Sequence, residues 1–289
     1  MFDTTLSPLP APVAKAVAPI PSARHSFVLR AQERGHDLIR SDGTRSSYVA
    51  GHPDGFITRE SSFNFHEYQS GRPGFGPIRV FGDEVFHGAG CGYNMHSHHN
   101  FVICAFVLQG ELTHINTAGS GTVDRLRAGD YYVFSAGSGG KHCELSISQE
   151  DMNAIYIWFL PGQLYLPPSY HKGHFDFRTR RDRIEQLVGE ADGALPIPND
   201  IRVSRLITDA GKKHTYRPRS SSHGTYVFVL EGSLRCGDTV LERRGSLGIS
   251  GVDEIEVQTT ADTTDVLFVE VMMMDDDVIK KWERAQPGH

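Results

Sequence analysis

The sequence predicts an all-β protein built from two copies of one barrel-like domain. Apolar residues come in short runs broken by turn formers, with 30 glycines and 15 prolines among 289 residues, the pattern of many short strands. The run Phe106-Val107-Leu108-Gln109-Gly110-Glu111-Leu112 returns about 120 residues later as Phe228-Val229-Leu230-Glu231-Gly232-Ser233-Leu234. A repeated strand–glycine–strand unit points to a duplicated domain. A third observation is chemical. The stretch Gly92 to Asn100, with His96, His98 and His99, leads into the apolar run Phe101–Leu108, so polar groups enter what reads as a strand.

In chain order, Met1–Pro21 is rich in Pro and Ala and nearly uncharged. It lacks the basic start and compact apolar core of a secretory signal, and 1–22 is expected to be a flexible leader. The first barrel is expected over 23–160. Its runs begin with Phe56-Ile57-Thr58, Phe63–His66 and Ile78–Phe81, followed by the histidine strand and a reversal at Gln109-Gly110. The chain returns through Glu111–Ile115 and Val123–Leu126. A Gly129-Asp130 turn opens the strand Tyr131–Phe134, then come His142–Glu144 and Ala154–Leu160. Past Pro161, Ile184, Leu187 and Val188 recur at helical spacing and predict a helix over Arg181–Glu190. The second barrel is expected over 161–274, from runs such as Ile201–Ile207, Thr225–Leu230 and Val266–Met272. Acidic Asp275–Asp277 ahead of Lys280, Lys281 and Arg284 suit the two ends of a short closing helix in 275–289.

Side chains alternate faces along a strand, so His96 and His98 point one way and Ser97 the other. His142 and Glu144 form a second pair of the same kind, with Cys143 turned away. If the two strands are neighbours in a barrel, three imidazoles and one carboxylate meet. That donor set suits Fe(II), Mn(II), Ni(II), Cu(II) or Zn(II). For a single HxH pair, metal-free surface histidines would be the better reading; two pairs on barrel strands favour a metal. The second repeat has no HxH, and His214 and His223 lie too far apart in sequence to form one.

The net charge of −6 argues against direct nucleic-acid binding, which needs a positive surface. No apolar run reaches membrane-spanning length. Cys91, Cys104, Cys143 and Cys236 show no CxxC spacing, which fits reduced thiols and a cytoplasmic protein.

In order, Gly74-Phe75-Gly76-Pro77-Ile78-Arg79-Val80, Gly90–His98, Val107–His114, Gly129-Asp130, Ser135–Gly139, His142-Cys143-Glu144 and Ile157–Pro161 resemble the pirin family of bicupins. The likeness runs from roughly Ser61 to Met272. It implies two jelly-roll-like cupin barrels, with one non-haem Fe(II) in the first on His96, His98, His142 and Glu144, and a second barrel free of metal. It also implies one of two activities. One is quercetin 2,3-dioxygenase chemistry on a small aromatic, flavonol-like substrate with dioxygen. The alternative is a non-catalytic, iron-dependent transcriptional coregulator that acts through a protein partner. A cupin isomerase or sugar-binding module is a third class.

Two positions depart from the family pattern. The usual carboxylate four residues after the second motif histidine is Val102, expected on the inner face beside Asn100. The usual Asp two residues after the returning-strand histidine is Asn116. Among the remaining candidates, His99 is expected to face solvent, His114 to be a structural histidine in preference to a partner standing behind the metal ligands, and Cys143 a buried thiol. For His66 and His87, which precede the motif, lining a barrel mouth is the lesser reading, and Met95 and Met272–Met274 would serve packing. The basic clusters Arg178–Arg183 and Lys212–Arg219 would be solvated faces.

Overall fold

The structure, a computed structural model, describes residues 25–41, 48–50, 55–65 and 71–284. The expected leader at 1–22 and His66 lie outside them. The chain is almost entirely strand, as the turn-rich composition required. After β1 (His25–Leu29), β2 (Gly35–Arg40), β3 (Val49–Ala50) and β4 (Phe56–Ser61), the first barrel continues with β5 (Ile78–His87), β6 (Cys91–His98), β7 (Val102–Gln109) and β8 (Glu111–Asn116). It then adds β9 (Thr122–Arg127), β10 (Asp130–Ser135), β11 (Gly140–Ser146), β12 (Met152–Phe159) and β13 (Ser169–His174). The second barrel comprises β14 (Glu185–Val188), β15 (Ile201–Asp209), β16 (Lys213–Tyr216), β17 (His223–Glu231) and β18 (Leu234–Cys236). It closes with β19 (Thr239–Leu241), β20 (Ser246–Ser250), β21 (Ile255–Thr259) and β22 (Thr263–Met272), before helix α1 (Asp276–Arg284).

Each barrel is a pair of antiparallel sheets. The first pairs the order β13-β10-β7-β12-β5-β4-β2 with β3-β6-β11-β8-β9; the second pairs β1-β20-β17-β22-β15-β14 with β16-β21-β18-β19. The two larger sheets stack on each other, which explains why β7 reads as an unbroken apolar run. Ile103, Ala105 and Val107 point into the first barrel. Val102, Cys104 and Phe106 point outward into a core shared with Tyr226, Phe228 and Leu267 of the second barrel. A strand buried on both faces shows no polar alternation. The sequence echo is therefore physical: Phe106 and Phe228 enter the same inter-barrel core. The glycines that follow hold matching turns, Gly110 at φ 73° and Gly232 at φ 80°. A Cβ at either would fall within 2.6 Å and 2.2 Å of a backbone oxygen.

Three expectations are corrected. The helix at Arg181–Glu190 is instead the edge strand β14, paired with β15. Leu187 and Val188 are both fully buried, and the sheet edge gave them backbone partners as well as a core. Strand β1 lies in the stretch assigned to the first barrel but pairs with β20 of the second. There Phe27 lies over Gly248, where a Cβ would come within 2.3 Å of its ring, and stands edge-on to Phe75 at 5.9 Å. Finally, the histidine strand does not run on into β7. Asn100 adopts φ 62° and ends it, so the alternation cannot be carried from His98 to Val102. Val102 faces the second barrel and contributes nothing to the interior of the first.

Helix α1 begins where Asp275 Oδ1 accepts a hydrogen bond from the Asp277 amide at 2.8 Å, a helix-capping contact. Its buried Ile279 and half-buried Trp282 pack against the core of the first barrel, and Glu283 pairs with Arg79 at 3.2 Å.

Candidate metal centre

Register places the site. Across the five-stranded sheet, His96, His142, Asn116 and Thr122 stand opposite one another on β6, β11, β8 and β9. The next row is Tyr93, Glu144, His114 and Asp124. Directly opposed residues share a face, so both rows line the inside. The pairing of β6 with β11 slips by one residue between these rows: Asn94 and Met95 together oppose Cys143. Such a bulge re-aims side chains. Here it turns both Tyr93 and His96 inward although three positions separate them. The bulged carbonyl of Asn94 also accepts a 2.7 Å hydrogen bond from Nδ1 of His96, which leaves Nε2 of that ring directed elsewhere.

His96, His98 and His142 converge, with ring centroids 4.8, 4.5 and 4.9 Å apart and one nitrogen from each within 4.8 Å of the others. Oε2 of Glu144 lies 3.9 Å from Nε2 of His142. Glu144 also groups with His142 and His114 at the same spacing. The four residues singled out by the two motifs are thus neighbours. His142 is 1% exposed and its Nε2 has no hydrogen-bond partner among the described residues. A buried nitrogen left bare toward two imidazoles and a carboxylate is costly without a cation and satisfied by one, so the donor set fits a metal. Burial holds His142 well below the ordinary histidine range, with His96 and His98 reinforcing it, so the ring is neutral and its Nε2 lone pair is available to a cation.

The surroundings are polar and ordered. Tyr132 donates a hydrogen bond to Oε1 of Glu144, turning the other oxygen toward His142. His142 stacks on Phe134 at 4.9 Å, and Trp158 stands edge-on to His98 at 4.8 Å. Deeper in, buried Arg59 binds Glu84 at 2.8 Å and Tyr93 at 2.6 Å. The Tyr93 hydroxyl donates to Glu84 at 2.8 Å and closes the triangle. Tyr156 adds a buried hydroxyl with no partner among the described residues. The half-buried His96 is the most open of the four, and Tyr48, 5.0 Å from its ring, flanks the opening.

Of the other candidates, His114 is drawn into the centre: its Nε2 lies 3.1 Å from Nδ1 of His142. His87 is engaged on both nitrogens, by Asp151 at 2.8 Å and Thr58 at 3.0 Å. His99 is half-buried against the Gly139 turn. Asn116 binds Thr122 at 2.7 Å and the Ala118 amide at 3.0 Å, so it shapes a turn. Cys143 is buried, and all four cysteines are unpaired. Among the described residues no metal-ligand cluster lies in the second barrel, and no helix is long and apolar enough to cross a membrane.

The centre predicts a pH signature. Burial pushes the Glu144 carboxyl up to about 8, against the Tyr132 hydrogen bond and with Glu84 adding to the rise. Burial also pushes His114 down to about 3, and His142 moves in the same direction. Below the ordinary histidine value of 6.5, the two rings stabilise the fold increasingly as pH rises, because the unfolded chain binds the extra protons. Above it only Glu144 of the three still titrates. The folded chain keeps a proton that the unfolded chain has lost, so stability falls as pH rises toward 8. At ~1.4 kcal/mol per unit the fall is on the order of 2 kcal/mol. Thermal unfolding of metal-stripped protein should show this decline, and Glu144→Gln should flatten it. A rise in stability over the same interval would contradict the assignment.

Comparison with known proteins agrees with this architecture. Residues 47–159 match the Pirin family model, and 189–271 match the model described as the quercetinase C-terminal cupin domain. An Escherichia coli protein named quercetin 2,3-dioxygenase is 25% identical over 246 residues, 84% of this chain and 97% of that one. A pirin-like protein of Caulobacter vibrioides is 29% identical over 220 residues, 74% of this chain and 91% of that one. The crystal structure of the E. coli bacterial pirin YhhW in complex with nickel(II) superposes with a TM-score of 0.74 at 22% identity, over 86% of this chain and all of that one. With its two cupin barrels, the chain belongs to the pirin family.

Proposed function

We propose that His96, His98, His142 and Glu144 hold one divalent first-row metal, Fe(II) foremost, and that the protein is a flavonol 2,3-dioxygenase acting on quercetin-like substrates with dioxygen. The observation that carries this reading is the convergence of three imidazoles inside a barrel, with the Glu144 carboxylate 3.9 Å from one of them and His142 Nε2 buried and bare. The relatives named as quercetin dioxygenases supply the substrate class. The metal, once bound, would supply the Lewis acidity and redox chemistry that ring-opening by dioxygen requires.

The protein's own residues account for binding and placement. Three neutral imidazoles and one carboxylate leave a divalent site with net positive charge, which favours a deprotonated phenol. Tyr48 at the opening and Trp158 beside His98 present aromatic surfaces to a flat ring system. Tyr156 offers a buried hydroxyl to a substrate oxygen, while Glu84 is committed to Arg59 and Tyr93. Tyr132 holds Glu144 in place and remains a phenol, because burial and the Glu144 charge raise it well above its ordinary value.

Oxygen consumption by Fe(II)-loaded protein with quercetin and a panel of related flavonols tests the reading. Uptake coupled to loss of the flavonol, abolished by His96→Ala, is the expected result. Fully metallated protein that consumes no oxygen with any flavonol would overturn the dioxygenase reading while leaving the metal centre intact.

A further inference from the structure

The row Tyr93–Glu144–His114–Asp124 holds a second feature that the two ligand motifs do not include. If His142 binds a metal through Nε2, its neutral ring carries the remaining proton on Nδ1. That N–H faces Nε2 of His114 at 3.1 Å, so His114 must accept there and carry its own proton on Nδ1. His114 is fully buried, and its Nδ1 has no hydrogen-bond partner among the described residues. A buried N–H in that position needs an acceptor. Directly across the strand pair is Asp124, whose side chain is 11% exposed. Its Oδ1 binds Lys172; its Oδ2 makes no well-formed hydrogen bond among the described residues, with the hydroxyls of Tyr170 and Thr122 close enough to interact with the carboxylate. Cross-strand neighbours of this kind sit about 5 Å apart at Cβ, within reach of direct or single-water contact.

We propose that Asp124 and His114 form a positioning chain. Asp124 takes the Nδ1 proton of His114, His114 accepts from Nδ1–H of His142, and Nε2 of His142 is thereby held toward the metal.

Two observations fix the parts. His114 is stacked on Tyr132 at 4.2 Å and on Tyr170 at 5.1 Å, so its ring plane has little freedom. Burial raises the Asp124 carboxyl, but hydrogen bonds to Lys172, Tyr170 and Thr122, with the Lys172 charge, together hold it below the ordinary carboxylate range. The chain thus has an ionised acceptor at one end and a bare ligand nitrogen at the other. Carboxylate–histidine pairs behind a metal ligand fix its tautomer and raise its basicity. Here a second imidazole is interposed.

The inference rests on the proposed metal centre, and the test separates the two. Metal-free full-length protein is titrated with Co(II), whose d–d absorption reports ligand geometry, for wild type, Asp124→Asn, His114→Gln and His114→Leu. Thermal unfolding of each metal-free protein is measured alongside. His114→Leu is expected to weaken Co(II) binding by about 10–100-fold and to alter the spectrum. Asp124→Asn should weaken it less. His114→Gln, whose side-chain oxygen can reach the Nε2 position, should recover most of the loss. A wild-type protein that takes up no Co(II) would overturn the metal centre itself. Wild-type uptake with Asp124→Asn unchanged in affinity and spectrum, or with His114→Gln as weak as His114→Leu, would overturn the positioning chain alone. A shift confined to unfolding temperature would make His114 a packing residue only.

Discussion

Replacing His142 with alanine is expected to strip the protein of its metal. His142 is the one residue common to both clusters of potential ligands, and it joins the HxH pair of β6 to Glu144. Without it, Glu144 loses its nearest imidazole and the donor set separates into two parts. The loss in affinity should exceed the roughly 10–100-fold attached to partners behind a ligand, and the purified variant should contain almost no metal by elemental analysis. Stability should fall as well. The substitution empties the space against Phe134 and leaves Nε2 of His114 buried without its partner, at about 1–3 kcal/mol for the unmet hydrogen bond alone. A variant that keeps near-stoichiometric metal would place the ion elsewhere.

The second large effect lies between the barrels. Asp83, 8% exposed, sits between Arg34 at 3.4 Å and Arg244 at 3.3 Å and accepts from Nδ2 of Asn153 at 2.9 Å. Both guanidinium groups are nearly buried, their side chains 4% and 7% exposed. Arg34 precedes β2 of the first barrel, whereas Arg244 comes from the β19–β20 turn of the second, at φ 62°. Asp83→Ala would leave the buried Arg34 without its carboxylate and Arg244 with only the exposed Glu231 at 3.3 Å. Breaking a buried pair from one side costs roughly 3–5 kcal/mol, more than a surface ion pair supplies. Denaturant unfolding should show a loss of that size. A loss below about 1 kcal/mol would mean that the two arginines reach water or other acceptors.

The four proposed ligands were legible because their signal is local. His96 with His98, and His142 with Glu144, each need only strand alternation, and the turn-rich composition supplied the strands. Where the site depends on partners brought together by register, the text is silent. The bulge at Asn94–Met95 cannot be read from alternation, which would place Tyr93 and His96 on opposite faces. His114 read as a structural histidine because its sequence neighbours do not announce its partners: one strand connection separates it from Asp124 and three from His142. Arg59, Glu84 and Tyr132 lie on three different strands and carry no motif. The misplaced helix at Arg181–Glu190 has the opposite cause. Its spacing was compatible with a helix, and a vacant sheet edge decided otherwise. Val102 shows how one residue undoes a parity argument: Asn100 turns the backbone, and everything after it changes face.

The attachment of β1 to β20 also determines what can be separated. The earliest described strand belongs to the later barrel, so the polypeptide laces the two halves together as a belt returns through its buckle. Severing the chain between Leu160 and Ile201 would leave His25–Leu29 on the fragment where it has no sheet, and the other fragment with the flank of β20 uncovered. The duplicated halves are therefore not interchangeable beads on a string, and each needs the other to finish its own edge.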